Sequence, residues 1–123
     1  MDKLTLLKNL EAIACKLRTV GLHPLTRLGR ALLSVIVRNV TIEIDGLSLS
    51  GSIRHWGYLW SLQKGVCEAY MVELFKQILR PGQVVCDIGS FIGYYALLAG
   101  WRVSSSGKVF AFEPAPLNFA YLR

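Results

Sequence analysis

Cysteine and proline are scarce in this chain of 123 residues, and their scarcity excludes several classes of protein. There are three cysteines, Cys15, Cys67 and Cys86, and four prolines. The cysteines form no C-x-x-C pair and no metal-ligand spacing, which argues against a zinc module and a disulfide-stapled secreted domain. Because their number is odd and residues 1–20 lack the apolar centre of a signal peptide, we expect reduced thiols and a cytoplasmic protein. Cys86, inside an apolar run, is expected to be a buried thiol.

Long apolar runs are also missing, although the chain is 53% hydrophobic and only 18% charged, with a mean hydropathy of +0.41. No uninterrupted apolar run approaches the roughly 18 residues that a membrane span needs. Repeats and low-complexity tracts are absent, which argues against disorder. The composition is typical of one small α/β domain whose strands are buried on both faces.

Positive charge is concentrated near the N-terminus. Residues 1–39 contain seven Lys and Arg and two acids, so +5 of the net charge of +6 lies there. Leucines at helical spacing between Leu4 and Leu17, and again from Leu25, predict two basic amphipathic helices separated by a break at Gly21. Such helices fit a helical hairpin with solvated charges, or alternatively contact with a membrane surface or an acidic partner. The basic residues lack interleaved aromatics, which disfavours nucleic acid as a partner.

Residues 40–65 are predicted to form a β-hairpin and an aromatic connector. Apolar and polar residues alternate on both sides of Asp45 and Gly46, which are typical of a two-residue hairpin turn. The aromatic-rich stretch 55–60 is expected to pack in a core or a lid, with a stacking platform for a sugar or a base as the alternative. Neither histidine has an acidic or cysteine partner at ligand spacing, so no metal site is predicted.

Residues 66–123 alternate between helical and strand patterns. The predicted elements are a helix over 66–80, a strand over 84–88, a helix over 92–103, a strand over 108–112 and the start of a helix at Pro116. Strand, helix and strand form a βαβ unit with two neighbouring parallel strands. Ligands of such sheets bind at the carboxyl ends of the strands, which are here the stretches 87–93 and 113–115.

The loop between the first strand and its helix does not match either phosphate-binding pattern. The dinucleotide pattern G-x-G-x-x-G is broken because Phe91 stands between Gly89 and Gly93. The triphosphate loop needs a lysine after its last glycine, where this chain has Tyr94. From residue 87 to residue 101 there is no Lys or Arg. A dinucleotide-dependent oxidoreductase is therefore disfavoured.

S-adenosylmethionine, which carries no phosphate, suits these residues better. The carboxylate of Asp87 suits the cationic ammonium and sulfonium groups of this cofactor. The cofactor's own carboxylate can accept hydrogen bonds from amides at a helix N-terminus. Glu113 lies 24 residues after Gly89, near the offset expected of an acid that accepts hydrogen bonds from ribose hydroxyls. A turn or cap role for Asp87 and an exposed strand end for Glu113 are the alternatives. The occurrence of both acids at the ends of consecutive strands favours the cofactor.

The stretches LRPGQVVCDIGSFIGYYALLAG and GKVFAFEPAPLNFAYLR resemble FkbM-type class I methyltransferases. Those proteins share a core PGD-x-V-x-D-x-G-A-N-x-G-Y-Y-T and a later V-x-A-F-E-P-x-P-x-N, and the resemblance covers residues 79–123. The chain departs from the pattern at Ser90 and Phe91, where Ala and Asn are usual, and at Ala115, where a polar residue is common. The resemblance implies a Rossmann-like doubly wound fold, S-adenosylmethionine binding, and methyl transfer to a hydroxyl of a sugar or other natural product.

For this chain, the resemblance predicts cofactor contacts in three places. They are the glycine loop, the residues after the strand 108–112, and the start of the helix that precedes the strand 84–88. These residues are Glu68, Asp87, Gly89, Ser90, Phe91, Gly93, Tyr94, Glu113 and Pro114. A complete fold of this class has seven strands, and the resemblance accounts for two. The chain is therefore predicted to comprise a basic helical segment (1–39), the hairpin and connector (40–65) and a truncated cofactor domain (66–123). Its acceptor is expected to be a small molecule or a glycan. The alternative is a non-catalytic remnant that acts through its N-terminal helices.

Overall fold

A computed structural model describes residues 3–22, 24–26, 28–29 and 39–122. It divides the chain into two units, residues 1–40 with 52–54 and residues 41–51 with 55–123. The elements with defined bounds are α1 (Lys3–Thr19), β1 (Asn39–Ile44), β2 (Leu47–Ser52), a 3₁₀ turn (Ile53–His55), α2 (Trp56–Gln63), α3 (Ala69–Ile78), β3 (Val84–Ile88), α4 (Tyr94–Val103), β4 (Lys108–Phe112) and α5 (Pro116–Phe119). In these described ranges, the fold is mixed α/β with two small sheets.

The first unit contains α1, whose end lies where the sequence places it. Lys16 and Arg18 occupy its last turn, where cations are favoured by the helix dipole. The amide of Leu22 donates to the carbonyl of Leu17 at 2.9 Å, a bond that closes the helix just past Gly21. The second predicted helix is described only at residues 24–26 and 28–29, which are helical; its remainder lies outside the described residues. Within the described ranges, no helix combines the length and apolarity that crossing a membrane requires.

The hairpin of the second unit confirms the predicted turn. Asp45 and Gly46 have φ angles of 52° and 78°, so the two central residues are both left-handed, as a type I′ turn requires. Trp56 and Leu59 of α2 are 2% and 0% exposed. The aromatic stretch therefore packs in a core, as predicted.

A parallel strand pair with one crossover helix forms the rest of the unit. β3 and β4 pair from Val84 opposite Lys108 to Ile88 opposite Phe112, with the bounds that the sequence predicts. α4 contacts both strands and begins at Tyr94, two residues later than predicted. α3 is also shorter than the predicted 66–80. The predicted βαβ unit is confirmed.

The expectation that both strands are buried on both faces is wrong for the described residues. Val84 and Ile88 of β3 are 66% and 83% exposed, and Phe110 and Phe112 of β4 are 51% and 54% exposed. Cys86, expected to be buried, is exposed on the same strand. Side chains alternate between the faces of a strand. The intervening positions are half-buried, whereas no described element covers the alternate ones. The apolar sequences of β3 and β4 therefore do not predict that their side chains are buried within this chain.

Candidate functional site

The glycine loop adopts left-handed backbone conformations at three positions. Gly89, Phe91 and Gly93 have φ angles of 83°, 53° and 89°. Gly93 is the residue before α4, and a Cβ there would lie 2.6 Å from Cδ2 of Leu122. The φ angle of Gly93 therefore favours glycine, whereas Cδ2 of Leu122, the end of a flexible side chain, could move to admit a Cβ.

The carbonyl of Phe112, the last residue of β4, holds the loop in place. The amides of Gly89 and Ser90 donate to this oxygen at 2.8 and 3.0 Å. The hydroxyl of Ser90, whose residue is 6% exposed, lies 3.4 Å from the same oxygen and 2.9 Å from the carbonyl of Asp87. The shape of the loop therefore depends on the end of the neighbouring strand.

The carboxylate of Glu113 accepts three hydrogen bonds. Oε2 accepts from the amide of Phe91 at 2.9 Å, while Oε1 accepts from the amide of Ala115 at 3.0 Å and from Nδ2 of Asn118 at 3.1 Å. These donors hold the pKa of Glu113 below its usual value, with Ala115 the largest cause; desolvation opposes them, and Asn118 and Phe91 add to the lowering. Glu113 is ionised at neutral pH.

These three bonds limit what else Glu113 can bind. An ionised carboxylate offers about four acceptor positions, two on each oxygen. Among the described residues, Oε1 has two donors and Oε2 has one, which leaves one position on Oε2 without a described donor. A site for one further hydroxyl is present, whereas bonds to both ribose hydroxyls would need one of the present donors to leave.

Asp87 has a buried oxygen for which the described residues supply no partner. Asp87 is half-buried near the end of β3, and its Oδ2 makes no hydrogen bond within the described part of the chain. A buried charged oxygen without a partner is costly, and such groups occur where a ligand completes the bonding. This unpartnered oxygen makes Asp87 a candidate contact for a cationic ligand.

The remaining predicted residues occupy different environments. Gly93 and Tyr94 are buried, Phe91 is half-buried, and Gly89, Glu68 and Pro114 are exposed. Glu68 precedes α3 with a φ of 48°, and its Oε2 accepts from the hydroxyl of Tyr95 at 2.8 Å. Burial and this carboxylate raise the pKa of the Tyr95 phenol. The structure thus connects Glu68 with the first turn of α4, through a tyrosine that the sequence did not single out.

Two residues beside Glu113 were not predicted as part of the site. Nε2 of His55 lies 3.2 Å from Oδ1 of Asn118, whose amide nitrogen bonds Glu113. His55 is 8% exposed, and its ring meets the rings of Phe91 and Tyr121 nearly at right angles, at centroid distances of 5.0 and 5.5 Å. Asn118 matches the last position of the motif V-x-A-F-E-P-x-P-x-N. His55 is 63 residues away in sequence, so no local pattern could have connected it with the loop.

The two carboxylates lie outside the clefts found in this unit. A cleft of about 470 Å³ is lined by Gly93, Tyr121 and Leu122 together with residues of β2, α4 and β4. A second, of about 620 Å³, is lined by residues of α3 and α4 with Asp45. Neither Asp87 nor Glu113 lines either cleft. These two clefts of the described residues are therefore separate from the pair of carboxylates.

Phe91→Asn is expected to lower the free energy of unfolding by about 1 kcal/mol. A left-handed residue other than glycine carries roughly 1–2 kcal/mol of strain, which asparagine partly relieves. The ring of Phe91 makes edge contacts with His55 and with Tyr58, at 5.0 and 5.2 Å, each worth about 0.5–1.5 kcal/mol. The lost contacts outweigh the relieved strain. Urea unfolding measures the difference, and a more stable variant would contradict it.

The lowered pKa of Glu113 predicts that acid weakens the fold. The folded pKa lies below the unfolded value of 4.5, so ionised Glu113 contributes stability above about pH 4.5. That contribution is lost as the pH falls from there through the folded pKa. We expect the thermal midpoint of Glu113→Gln to converge on that of the unaltered chain in this acidic range. Melting curves followed by circular dichroism test this, and a constant difference at all pH values would contradict it.

Two curated proteins match part of the chain, and no protein-family model matches it. The chain is 52% identical over 46 residues to the 31-O-demethyl-FK506 methyltransferase FkbM of Streptomyces tacrolimicus, covering 37% of this chain and 17% of that protein. It is 36% identical over 45 residues to the ribosomal RNA large subunit methyltransferase E of Sorangium cellulosum (strain So ce56), covering 37% and 21%. The chain thus spans about a fifth of the length of the curated relatives it matches. Over about a third of its own length, it is similar to methyltransferases.

Proposed function

We propose that the βαβ unit is the part of a methyltransferase domain that binds S-adenosylmethionine. The observation that carries this is the pair of acids at the ends of two paired parallel strands. Asp87 has a buried oxygen without a partner in the described chain, and Glu113 has one acceptor position without a described donor. A cationic group and a hydroxyl would complete the bonding of these two side chains, and S-adenosylmethionine carries both.

Four amides of the glycine loop are bonded within the chain. In dinucleotide loops, backbone amides face the pyrophosphate. Here the amides of Gly89 and Ser90 donate to Phe112, that of Phe91 donates to Glu113, and that of Gly93 donates to the carbonyl of Ser90. These donors are used within the chain, and the nearest carboxylate would repel a phosphate. The acids and the sequence pattern therefore disfavour dinucleotide and triphosphate ligands, whereas these four occupied amides are closed to any anionic group, the carboxylate of S-adenosylmethionine included.

The chain's own contribution would be binding and orientation. S-adenosylmethionine supplies an already activated methyl group when it is bound, so positioning provides most of the catalysis. Asp87 would balance the positive charge of the cofactor, and Oε2 of Glu113 would accept a hydrogen bond from the ribose. Asp87 lies in β3 and Glu113 directly follows β4, and the pairing of these two strands holds the two acids at the same edge of the sheet.

The acceptor is proposed from the relatives' names. One relative is named for 31-O-demethyl-FK506 and the other for ribosomal RNA, which are chemically unlike. Both are methyltransferases by name, so what the two relatives have in common is methyl transfer and not an acceptor. Following the more similar relative, we propose O-methylation of a natural-product or sugar hydroxyl by the full methyltransferase.

Isothermal titration of the 123-residue chain with S-adenosylhomocysteine tests the proposed binding. We expect one site with a dissociation constant in the micromolar range, and no heat from NAD⁺ or ATP as phosphate-bearing controls. Absence of heat with S-adenosylhomocysteine up to about 1 mM, corresponding to less than about 4 kcal/mol of binding free energy, would overturn the proposal. Binding of NAD⁺ in its place would assign the loop to a dinucleotide.

A further inference from the structure

A chain of hydrogen bonds runs from the core of the second unit to the carboxyl end of β4. Nε2 of His55 lies 3.2 Å from Oδ1 of Asn118. Nδ2 of the same amide lies 3.1 Å from Oε1 of Glu113. His55 belongs to the turn before α2, Asn118 to α5 and Glu113 to the residues after β4. Three separate segments therefore converge on one carboxylate.

The direction of each bond follows from the chemistry of Glu113. An ionised carboxylate only accepts hydrogen bonds, so the group of Asn118 that faces it is the NH₂ group. The other end of the amide, Oδ1, is then an acceptor that faces His55. Nε2 of His55 must carry a proton to donate to it. The arrangement thus specifies both the orientation of the amide and the protonated nitrogen of the imidazole.

The histidine at the inner end of this chain has little room to move. Its ring lies between those of Phe91 and Tyr121, and it is 8% exposed. A Cβ at Gly51 would lie 3.1 Å from both Cβ and Nδ1 of His55, a contact tighter than ordinary packing. The absence of a side chain at Gly51 therefore leaves room for the imidazole of His55. The packing around the ring restricts the direction of Nε2.

We propose that His55 and Asn118 are positioning residues that orient the Glu113 carboxylate, so that Oε1 is occupied by the chain and Oε2 receives the ribose hydroxyl. This inference rests on the proposed function, because it assigns the ribose to one oxygen of the same site. It adds the consequence that one hydroxyl, and not two, bonds Glu113 while Asn118 remains in place.

The hydrogen-bond chain can be tested without any cofactor. Long-range proton–nitrogen correlation spectra of the 123-residue protein should show His55 protonated at Nε2, with His23, the other histidine of the chain, assigned through His23→Gln. Asn118→Leu should abolish that preference and raise the pKa of Glu113 in a carbon-13 titration, because the carboxylate loses a donor. Protonation of His55 at Nδ1 in the unaltered chain would overturn the inference.

Binding of S-adenosylhomocysteine tests the positioning role. His55→Phe keeps an aromatic ring against Phe91 and Tyr121 but removes the donor, and we expect about tenfold weaker binding. His55→Gln retains an amide donor and should restore most of the affinity. Asn118→Asp keeps an acceptor for His55 but places a carboxylate against Glu113, so it should weaken binding by tenfold or more. Leu117→Ala changes an exposed neighbour, 69% exposed, and should leave affinity unchanged.

The outcomes separate this inference from the proposed function. If the unaltered chain binds and all four variants bind equally well, the positioning role is wrong while the proposed function stands. If the unaltered chain does not bind, both fail. Equal weakening in His55→Phe and His55→Gln, with unchanged thermal midpoints, would also overturn the role of the donor.

Discussion

Gly107→Ala is expected to lower the free energy of unfolding by about 3 kcal/mol, at the upper end for an overpacked core. Gly107 ends the turn between α4 and β4. A Cβ there would lie 2.5 Å from Cβ of Val103 and 2.6 Å from the carbonyl oxygen of Gln83. Val103 is 1% exposed, and the carbonyl of Gln83 is backbone that accepts the amide of Lys108 at 3.0 Å. Neither neighbour can give way without disturbing the start of the strand pair.

Urea unfolding measures this effect, and Gly100 provides the matched control. Gly100 lies within α4 and is exposed, and a Cβ added there would meet no atom within 4 Å beyond its own helix backbone and chain neighbours. Because alanine favours a helix over glycine, Gly100→Ala should stabilise the unit by about 1 kcal/mol. The same change of residue thus has opposite expected signs at two positions seven residues apart. Equal effects at both would contradict the described packing around Gly107.

Asp87→Asn is expected to weaken binding of S-adenosylhomocysteine and S-adenosylmethionine by about 100-fold or more, because a charge that pairs with a cationic group is lost. Unfolding should respond differently. Oδ2 of Asp87 is buried without a described partner, so the neutral amide removes an uncompensated charge from the free protein. The free energy of unfolding should therefore stay equal or rise.

Titration calorimetry and urea unfolding of the same Asp87→Asn preparation provide the two measurements. If Asp87 stabilises the loop, its replacement should lower the free energy of unfolding. If Asp87 binds the ligand, its replacement should lower the affinity alone. Glu43→Gln, which removes an exposed acid of β1, is the control for a change of one charge and should leave binding unchanged. Unchanged affinity in Asp87→Asn would remove Asp87 from the site.

The order of the elements could be predicted because local patterns specify it. The apolar runs at 84–88 and 108–112 and the turn at Asp45 and Gly46 have the predicted bounds. The exposure of Ile88 and Phe112 could not be predicted. An apolar sequence indicates that a strand is suited to burial, but it does not indicate which elements cover that strand. The helix predicted from residue 66 begins at Ala69, because Glu68 is left-handed.

The site was predictable only where its residues belong to a motif. Asp87 is the penultimate residue of β3 and Glu113 directly follows β4, so each lies at the carboxyl end of one of the paired strands. The bond between His55 and Asn118 joins residues 63 positions apart and depends on tertiary packing. Phe91 is likewise left-handed and its amide donates to Glu113, and neither feature is indicated by a pattern in the loop.

The dependence of the glycine loop on Phe112 has a consequence for the synthesis of the protein. Ser90 lies 22 residues before the carbonyl that its hydroxyl and amide contact. At about 5–20 residues per second, a ribosome needs roughly one to four seconds to add that interval. During this time β3 lacks β4 as its parallel partner, and the amides of Gly89 and Ser90 lack their native acceptor. The loop therefore acquires its native shape only after β4 has been translated and has left the ribosome.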